Sequence, residues 1–239
     1  MLQLADDVQG NGDGEVQRGE TATLYLHVKN VGQGKTYTTQ ANLQNQSGRG
    51  VLLRGGRFRV DSIEPGEERI IPFTFKVLED FEQPKAKFEV SLIDTDLRVS
   101  FNEKFDVVVN KDAQMPQADI RTVTVIKGAI IHEKPNARSR KLGNIEKDGK
   151  QFSAEAALNG FLRIDLGEGR PGWVAANKVS PSAQPGATGV LHEYLYHQLP
   201  VIALDVGNDL VTRQSKLHVE GSAADNSRVR DVYIFVGSK

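Results

Sequence analysis

The chain has 239 residues, of which 38% are hydrophobic and 26% are charged. This length allows one to three domains, and the apolar content is enough to build packed cores, which argues against global disorder. Thirty Lys and Arg residues against 31 Asp and Glu residues give a formal net charge of -1, so no global field attracts nucleic acid or an anionic membrane. Cysteine is absent, which excludes disulfides and cysteine-based catalysis.

The first segment, to about Asn110, alternates short apolar runs with turn signals. Thr23–Val28 has alternating apolar residues on one face, and Ile70–Val77 repeats the pattern with two phenylalanines. This period of two is typical of strands with one buried face. About seven such runs before Asn110 predict a two-sheet β-sandwich of immunoglobulin type.

The turns of this segment carry a family resemblance. The run Gly10–Gly14 reads Gly-Asn-Gly-Asp-Gly, and Gly19 and Glu20 precede the first core strand. Further turns at 30–32 and 65–67 end predicted strands. Over residues 6–110 the segment resembles bacterial Ig-like domains, and the resemblance implies a fold and no particular ligand.

A second unit begins near Ile120, after a polar segment at 111–118 that we interpret as a linker. Short apolar runs at 122–126, 129–132, 151–156 and 161–166 predict strands separated by glycine-containing turns. Five or six short strands in about 60 residues are typical of a small barrel.

Five ordered motifs in this unit resemble the bacterial SH3-like (SH3b) family along residues 120–180. They are Lys134-Pro135, Leu142-Gly143, Lys147–Gly149, Asn159-Gly160 and Gly172–Val174. Two positions depart from the family pattern: the usual Leu-Asn-Val-Arg strand is Ile130–Glu133 here, and the usual Trp after Asn-Gly is Phe161. Ligand recognition carried by those two positions in the family therefore does not transfer to this chain directly.

Aromatic side chains with polar neighbours in the SH3-like unit suggest a groove for an extended peptide. The alternative is that the aromatic residues fill the barrel or pack against a neighbouring domain. The candidate groove residues are Glu133, Asn136, Asn159, Phe161, Arg163 and Trp173.

A Pro-, Gly- and Ser-containing linker at 181–189 precedes a third set of strand signals, at 200–205, 216–221 and 231–237. These signals resemble the opening of another Ig-like sandwich that is only partly present. The sequence therefore predicts an all-β protein with an Ig-like sandwich at 1–111, an SH3-like barrel at 112–181, and a linker with a partial Ig-like domain at 182–239.

Hard oxygen ligands of the kind that calcium prefers cluster near the amino terminus. An EF-hand loop beginning at Asp7 fails, because its twelfth position is Arg18 where a bidentate Glu is required. A non-EF calcium site formed by Asp7, Asn11, Asp13 and Glu20 remains a hypothesis. The alternative is a plain Asx/Gly turn that leads into the first core strand, with no cofactor.

Motifs for catalysis are weak throughout the sequence. The run His192–His197 resembles a metalloprotease helix, but position 196 is Tyr, so the two histidines do not share a helix face. The alternative is a connector that packs on a neighbouring domain. Nucleophile elbows, Walker loops and dinucleotide fingerprints are absent from the sequence, and we predict that the chain itself is not an enzyme.

The module order, Ig-like then SH3-like then Ig-like, resembles the region after the protease domain in some exported bacterial carboxyl-terminal processing peptidases, which are PDZ-containing serine enzymes. This resemblance implies a non-catalytic tail in the periplasm or cell envelope that positions its own protease domain or recognises protein partners. The alternatives are a tail that binds the peptidoglycan stem peptide in a murein hydrolase or adhesin, an unrecognised hydrolase, and a structural spacer. Nucleic acid and a transmembrane segment are not expected.

Overall fold

The computed structural model describes residues 1–96, 99–180, 188–194, 201–205, 220–224 and 232. Within this part of the chain every regular element is a β-strand except one turn of 3-10 helix, Ala176–Lys178. None of the described segments forms a helix long and apolar enough to span a bilayer. The predicted all-β class is confirmed, whereas the assignments to the Ig-like and SH3-like families stay predictions.

The first unit is a sandwich of two sheets, and its four-stranded sheet has the order β1-β3-β7-β5 while its five-stranded sheet has the order β2-β9-β8-β4-β6. Strand β2 pairs with β9 in parallel, and the other pairs are antiparallel. The strands are β1 (Leu2–Gln9), β2 (Val16–Gln17), β3 (Thr21–Lys29), β4 (Thr39–Asn45), β5 (Val51–Gly55), β6 (Arg57–Val60), β7 (Glu68–Val77), β8 (Lys85–Asp94) and β9 (Val99–Asn110).

The core of the sandwich lies between its two sheets. Alternate residues of each strand face inward because successive side chains of a strand point to opposite faces. Phe73 and Phe75 of β7 are fully buried, and the Phe75 ring packs against Phe88 of β8 with 4.6 Å between centroids. The sequence patterns at Thr23–Val28 and Ile70–Val77 therefore identified real core strands.

The second unit is a barrel that the long, bent strand β12 closes by pairing with β10, β11, β13 and β16. Its core is mostly aliphatic, includes Val123, Ile131, Leu142 and Ile164, and contains one phenylalanine, Phe152. The strands are β10 (Gln117–Val125), β11 (Ile130–His132), β12 (Lys141–Leu158), β13 (Phe161–Asp165), β14 (Pro171–Ala175), β15 (Val179–Ser180) and β16 (Thr188–Glu193).

Two element boundaries of the barrel differ from the sequence-based expectation. Strand β10 begins at Gln117, inside the predicted linker 111–118. Strand β16 lies in the range predicted as a linker with a third domain, but it pairs with β12 of the barrel from Gly143 to Lys150. Neither segment has a clear alternation of apolar residues, so their place in the barrel follows from pairing with β12.

The third set of strand signals is described in part. Strand β17 (Val201–Asp205) pairs antiparallel with β18 (Glu220–Ala224). The predicted strand at 200–205 is therefore present, and the one at 216–221 overlaps β18. Apart from Val232, the predicted strand at 231–237 lies outside the described residues.

The barrel packs against the outer face of β1 and β3. Gln3, Tyr25 and His27 point away from the sandwich core, yet their exposed fractions are only 0%, 5% and 6%. Met1, also on this outer face, belongs to the core of the barrel. The two units therefore share an extensive interface on one side of the four-stranded sheet.

Candidate functional site

Three of the six predicted groove residues meet at one cavity. Asn136 lies in the loop after β11, Asn159 in the turn between β12 and β13, and Phe161 at the start of β13. They line a cavity of about 370 Å³. The remaining lining residues are Asp13, Glu15, Gln114, Lys134, Pro135 and Ala137. We call this space the interdomain groove, because the sandwich and the barrel both contribute to it.

The other three predicted residues lie elsewhere. Trp173 of β14 is 1% exposed and does not line the groove. Arg163 pairs beside it on β13, and its guanidinium lies 3.5 Å from the Gly12 carbonyl oxygen. Glu133 lines a separate cavity near β1. The alternative interpretation of Trp173, as a packing residue, matches its burial.

The segment that covers Trp173 is the loop Gly10–Glu15 of the sandwich. At Gly14 the backbone φ is +84°, and a Cβ placed there would lie 3.2 Å from both Trp173 Nε1 and Pro135 Cδ. Glycine is required because it tolerates this φ and adds no side chain. The Gly-Asn-Gly-Asp-Gly run therefore places a backbone segment of the sandwich directly against Trp173 and Pro135 of the barrel.

The ends of this loop are tied to the barrel and to the connecting segment. Glu15 accepts a hydrogen bond from Asn110 Nδ2 at 2.6 Å and forms an ion pair with Lys134. Asp13 Oδ2 accepts the Gln114 backbone N–H at 2.9 Å. Gln114 Oε1 in turn accepts from Asn159 Nδ2 at 2.8 Å. Polar contacts therefore hold both walls of the interdomain groove in place.

The predicted calcium ligands form an internally bonded turn. Asn11 Oδ1 accepts the Asp13 N–H, and the two Asp13 oxygens accept from Glu15, Gln17 and Gln114. Glu20 accepts the N–H groups of Asn11 and Gln17, one on each oxygen. The side chain of Asp7 lies outside the described part. These hydrogen bonds are those of an Asx/Gly turn and satisfy each described oxygen without an ion, while the calcium site stays a hypothesis.

Asp6 is a buried carboxyl group beside this turn. One oxygen accepts the Gly14 N–H at 3.1 Å, and the other is buried with no hydrogen-bond partner among the described residues. Burial and the nearby charge of Asp13 raise the pKa of Asp6 to about 7. Burial also raises the pKa of Glu20. Within the described residues, no group of three His, Asp or Glu side chains is arranged to hold a metal ion.

His27, Arg170 and Glu193 form a second interdomain contact, which we call the Arg170 cluster. Arg170 donates two hydrogen bonds of 2.9 Å to the Glu193 carboxylate and lies 2.9 Å from His27 Nε2. Because a guanidinium can only donate, Nε2 accepts and the imidazole proton is on Nδ1, 3.3 Å from Glu193. The cluster joins β3 of the sandwich, the loop before β14 and strand β16.

The electrostatics of the Arg170 cluster keep His27 neutral. Burial and the Arg170 charge lower the pKa of His27 to about 4. For Glu193, burial raises the pKa, but the hydrogen bonds and charge of Arg170 outweigh it and hold the pKa below its usual value. Arg170 and Glu193 are therefore a charged pair beside a neutral imidazole.

The predicted metal-binding run at 192–197 is only partly described. His192 of β16 lies 3.9 Å from Glu146 through Nδ1, and His197 lies outside the described residues. The next residue, Glu193, is instead a structural partner of Arg170. The connector interpretation, in which this run packs on a neighbour, matches the pairing of β16 with β12.

Sequence reasoning missed the interface residues because each looks ordinary alone. Arg170 lies in a glycine-rich turn, and Gln114 lies in a predicted linker. One signal was available in β3, where Tyr25 and His27 occupy outward positions that are usually charged on an exposed sheet face. Tyr25 donates to the Gly169 carbonyl oxygen at 2.8 Å.

No protein-family model matches the chain, and no curated protein sequence is significantly similar to it.

Proposed function

We propose that the chain is a non-catalytic accessory region of an exported bacterial serine peptidase of the carboxyl-terminal processing type. In this role it positions the peptidase domain or recognises protein or cell-envelope partners. The family-level part of this proposal comes from the module order and the five SH3-like motifs. The observation that carries a positioning role is the interface between the sandwich and the barrel.

That interface is extensive and polar. Gln3 Nε2 donates to the Pro171 carbonyl oxygen at 2.6 Å, and Glu133 accepts the Leu4 N–H at 2.9 Å. With the Arg170 cluster and the Gly10–Glu15 loop, these contacts fix the orientation of the two units. A fixed orientation is what an accessory region needs in order to hold another domain at a defined distance and angle.

The reading frame that encodes the chain tests this proposal. A PDZ domain and a Ser-Lys peptidase domain encoded upstream of Met1 would agree with it. A muramidase domain, or a reading frame with no catalytic domain, would contradict it. Incubation of the purified chain with casein is the second test, and turnover that survives repurification would show that the chain itself is an enzyme.

The interdomain groove favours a second candidate function, binding of an extended peptide such as the peptidoglycan stem peptide. This second candidate rests on the observation that Asn136, Asn159 and Phe161 line one cavity together. We expect Phe161→Ala to reduce retention of the chain on purified sacculi. Tyr37→Ala is the matched control, because Tyr37 is an exposed aromatic residue that does not line the groove. Equal retention of both variants would eliminate this candidate.

A further inference from the structure

Strand β9 of the sandwich has one open edge. On one side it pairs with β8 without interruption, from Val99 opposite Asp94 to Val108 opposite Lys85. On the other side only Val109 and Asn110 are paired, with β2. No other described strand pairs with β9, so most of its length presents an open row of backbone groups among the described residues.

The register shows which backbone groups form this row. The Val109 N–H donates to the Pro84 carbonyl oxygen at 2.9 Å, so it points toward the β8 side. Backbone groups of successive residues in a strand point to opposite sides, and the β8–β9 register has no bulge. The N–H and C=O groups of Asn102, Lys104 and Asp106 therefore point to the open edge.

A cavity of about 200 Å³ lies beside this edge. Its apolar wall comes from Met1 and from side chains of β1, β3 and β9, and its polar rim includes residues of the barrel. The apolar residues are Met1, Leu2, Leu4, Leu24, Phe105, Val107 and Val108, and the polar residues are Glu103, Asp106, Glu133, Lys134 and Arg140. We call the space between β9 and the barrel residues Glu133, Lys134 and Arg140 the β9 cleft.

The opposite wall of the cleft shows how an open edge is satisfied elsewhere in this protein. Strand β1 is the edge of the four-stranded sheet, and barrel side chains bind its free backbone groups. Glu133 accepts the Leu4 N–H, and the Arg140 guanidinium donates to the Leu2 carbonyl oxygen. The β9 cleft is therefore continuous with the interdomain interface, but its β9 side has no such covering among the described residues.

We propose that the β9 cleft binds an extended segment of a partner protein, which adds to β9 as an antiparallel strand. An open backbone row is complementary to another extended backbone, and alternate side chains of an added strand would enter the apolar part of the cleft. Glu103 interrupts the inward row that contains Phe105 and Val107 and lies near the Met1 ammonium group, so we expect the apolar side chains of the segment opposite Phe105 and Val107. This inference rests on the partner-recognition role proposed above, and its cleft adjoins the interdomain groove, with Lys134 lining both.

The probe is a capped heptapeptide, acetyl-Thr-Val-Thr-Val-Thr-Lys-Thr-amide, added at millimolar concentration to the isotopically labelled full chain. We expect the amide hydrogens of Asn102, Lys104 and Asp106 to exchange at least about tenfold more slowly with the probe. The amides of Glu103 and Phe105 face β8 and should change little. Strand addition depends mainly on backbone contacts, so unchanged exchange at all three open-edge amides would overturn the proposal.

Variants of β9 test the same contact from the protein side. Lys104→Pro removes an N–H from the open edge and leaves the β8 pairing intact, since edge strands tolerate proline there. Lys104→Thr changes the same side chain and keeps the N–H. We expect the probe to bind Lys104→Pro much more weakly than Lys104→Thr, and equal binding would overturn the proposal. If Lys104→Pro does not fold, the exchange measurement on the unmodified chain decides.

The identity of the occupant has its own test. We expect a probe with serine in place of both valines to bind the unmodified chain more weakly, because its side chains cannot bury apolar surface in the cleft. Open-edge protection that appears without a probe and grows with protein concentration would assign the edge to a second copy of the chain and overturn the proposal. These outcomes do not depend on which catalytic domain the reading frame encodes.

Discussion

His27 lies between Arg170 and Glu193, and its imidazole is neutral in the folded protein. Its pKa is about 4 when folded and near 6.5 when unfolded. Between these values the unfolded chain binds the proton and the folded protein does not. The contribution of His27 to stability is therefore full above pH 6.5 and is lost as the pH falls toward 4, by about 3 kcal/mol for a pKa difference of this size.

We expect His27→Gln to lack this part of the pH dependence. The measurement is urea unfolding of both proteins at half-unit steps from pH 4 to pH 8. The unmodified chain should lose more stability than the variant as the pH falls from 6.5 to 4. An identical slope in both proteins would show that His27 does not titrate as its burial implies.

Asp6 responds to pH in the opposite sense. Its pKa is about 7 when folded, above the value of 3.8 expected for an unperturbed carboxyl. As the pH rises between these values, the unfolded chain releases the proton first. The contribution of Asp6 to stability is therefore full below pH 3.8 and is lost as the pH rises to 7, by about 4 kcal/mol for a difference of this size.

In Asp6→Asn this decrease should disappear, while the asparagine oxygen can still accept the Gly14 N–H. The same urea series measures it, and the variant should gain stability relative to the unmodified chain as the pH rises from 4 to 7. The two substitutions are controls for each other, because they change the slope of the free energy of unfolding against pH in opposite directions. If the stability of Asp6→Asn changed with pH in the same way as that of the unmodified chain, the raised pKa of Asp6 would be contradicted.

At the scale of elements, strand β16 pairs with β12 and is also joined to the loop before β14 by one ion pair. Arg170 is buried, and Glu193 of β16 is its bidentate partner. Removing one partner of a buried pair leaves the other charge uncompensated. We expect Glu193→Gln to lower the free energy of unfolding by about 3 kcal/mol, measured by urea unfolding at pH 7.5.

The matched control is Lys85→Gln, which removes an exposed ion pair with Asp106. Exposed pairs contribute about 1 kcal/mol or less, so this variant should stay close to the unmodified chain. Hydrogen exchange of the β12 amides opposite β16 gives a second readout. If Glu193→Gln were no more destabilising than Lys85→Gln, the Arg170 cluster would not contribute to the stability of β16.

Addition of calcium distinguishes the calcium hypothesis from a plain Asx/Gly turn at Asp6–Glu20. The described ligand oxygens of this turn already accept N–H groups without an ion, so we expect 5 mM calcium chloride, about fivefold above the weakest dissociation constants of extracellular calcium modules, to leave the melting temperature at pH 7.5 unchanged relative to EDTA. Magnesium chloride at the same concentration controls for ionic strength. A calcium-specific rise in the melting temperature would support the calcium site instead.

At the scale of the whole molecule, the sandwich and the barrel are joined where the Gly10–Glu15 loop lies on Trp173. Gly14→Ala places a methyl group against Trp173 and Pro135, and it also strains the backbone at positive φ. Gly66→Ala is the matched control, because its φ of +79° is similar and nothing lies within 4 Å of the added methyl group.

Both variants should lose about 1 kcal/mol from backbone strain. Gly14→Ala should lose a further 1–3 kcal/mol because the interface must shift to admit the methyl group. Calorimetry measures the difference, and small-angle scattering should show a more extended particle only for Gly14→Ala. Equal effects of the two substitutions would mean that the loop does not hold the two units together.

The alternating patterns at Thr23–Val28 and Ile70–Val77 were sufficient to predict core strands, because burial of one sheet face follows directly from a period of two. Apolar runs separated by glycine turns likewise predicted the strands of the second unit. For the candidate site, Asn136, Asn159 and Phe161 line one cavity, and their role in a peptide groove stays a prediction. The sequence could not distinguish the buried Trp173 from these three residues, because a tryptophan is equally suited to line a groove or to fill a core.

The sequence by itself determined the all-β class, most strands and the turns, because these depend on neighbouring residues and on local backbone chemistry. Only the tertiary structure decided which outward faces are covered. The pairing of β16 with β12, the Arg170 cluster and the contact of Gly14 with Trp173 join residues from 23 to more than 150 positions apart. Local patterns carry no information on such pairings, because the contacts exist only after both units have folded and met.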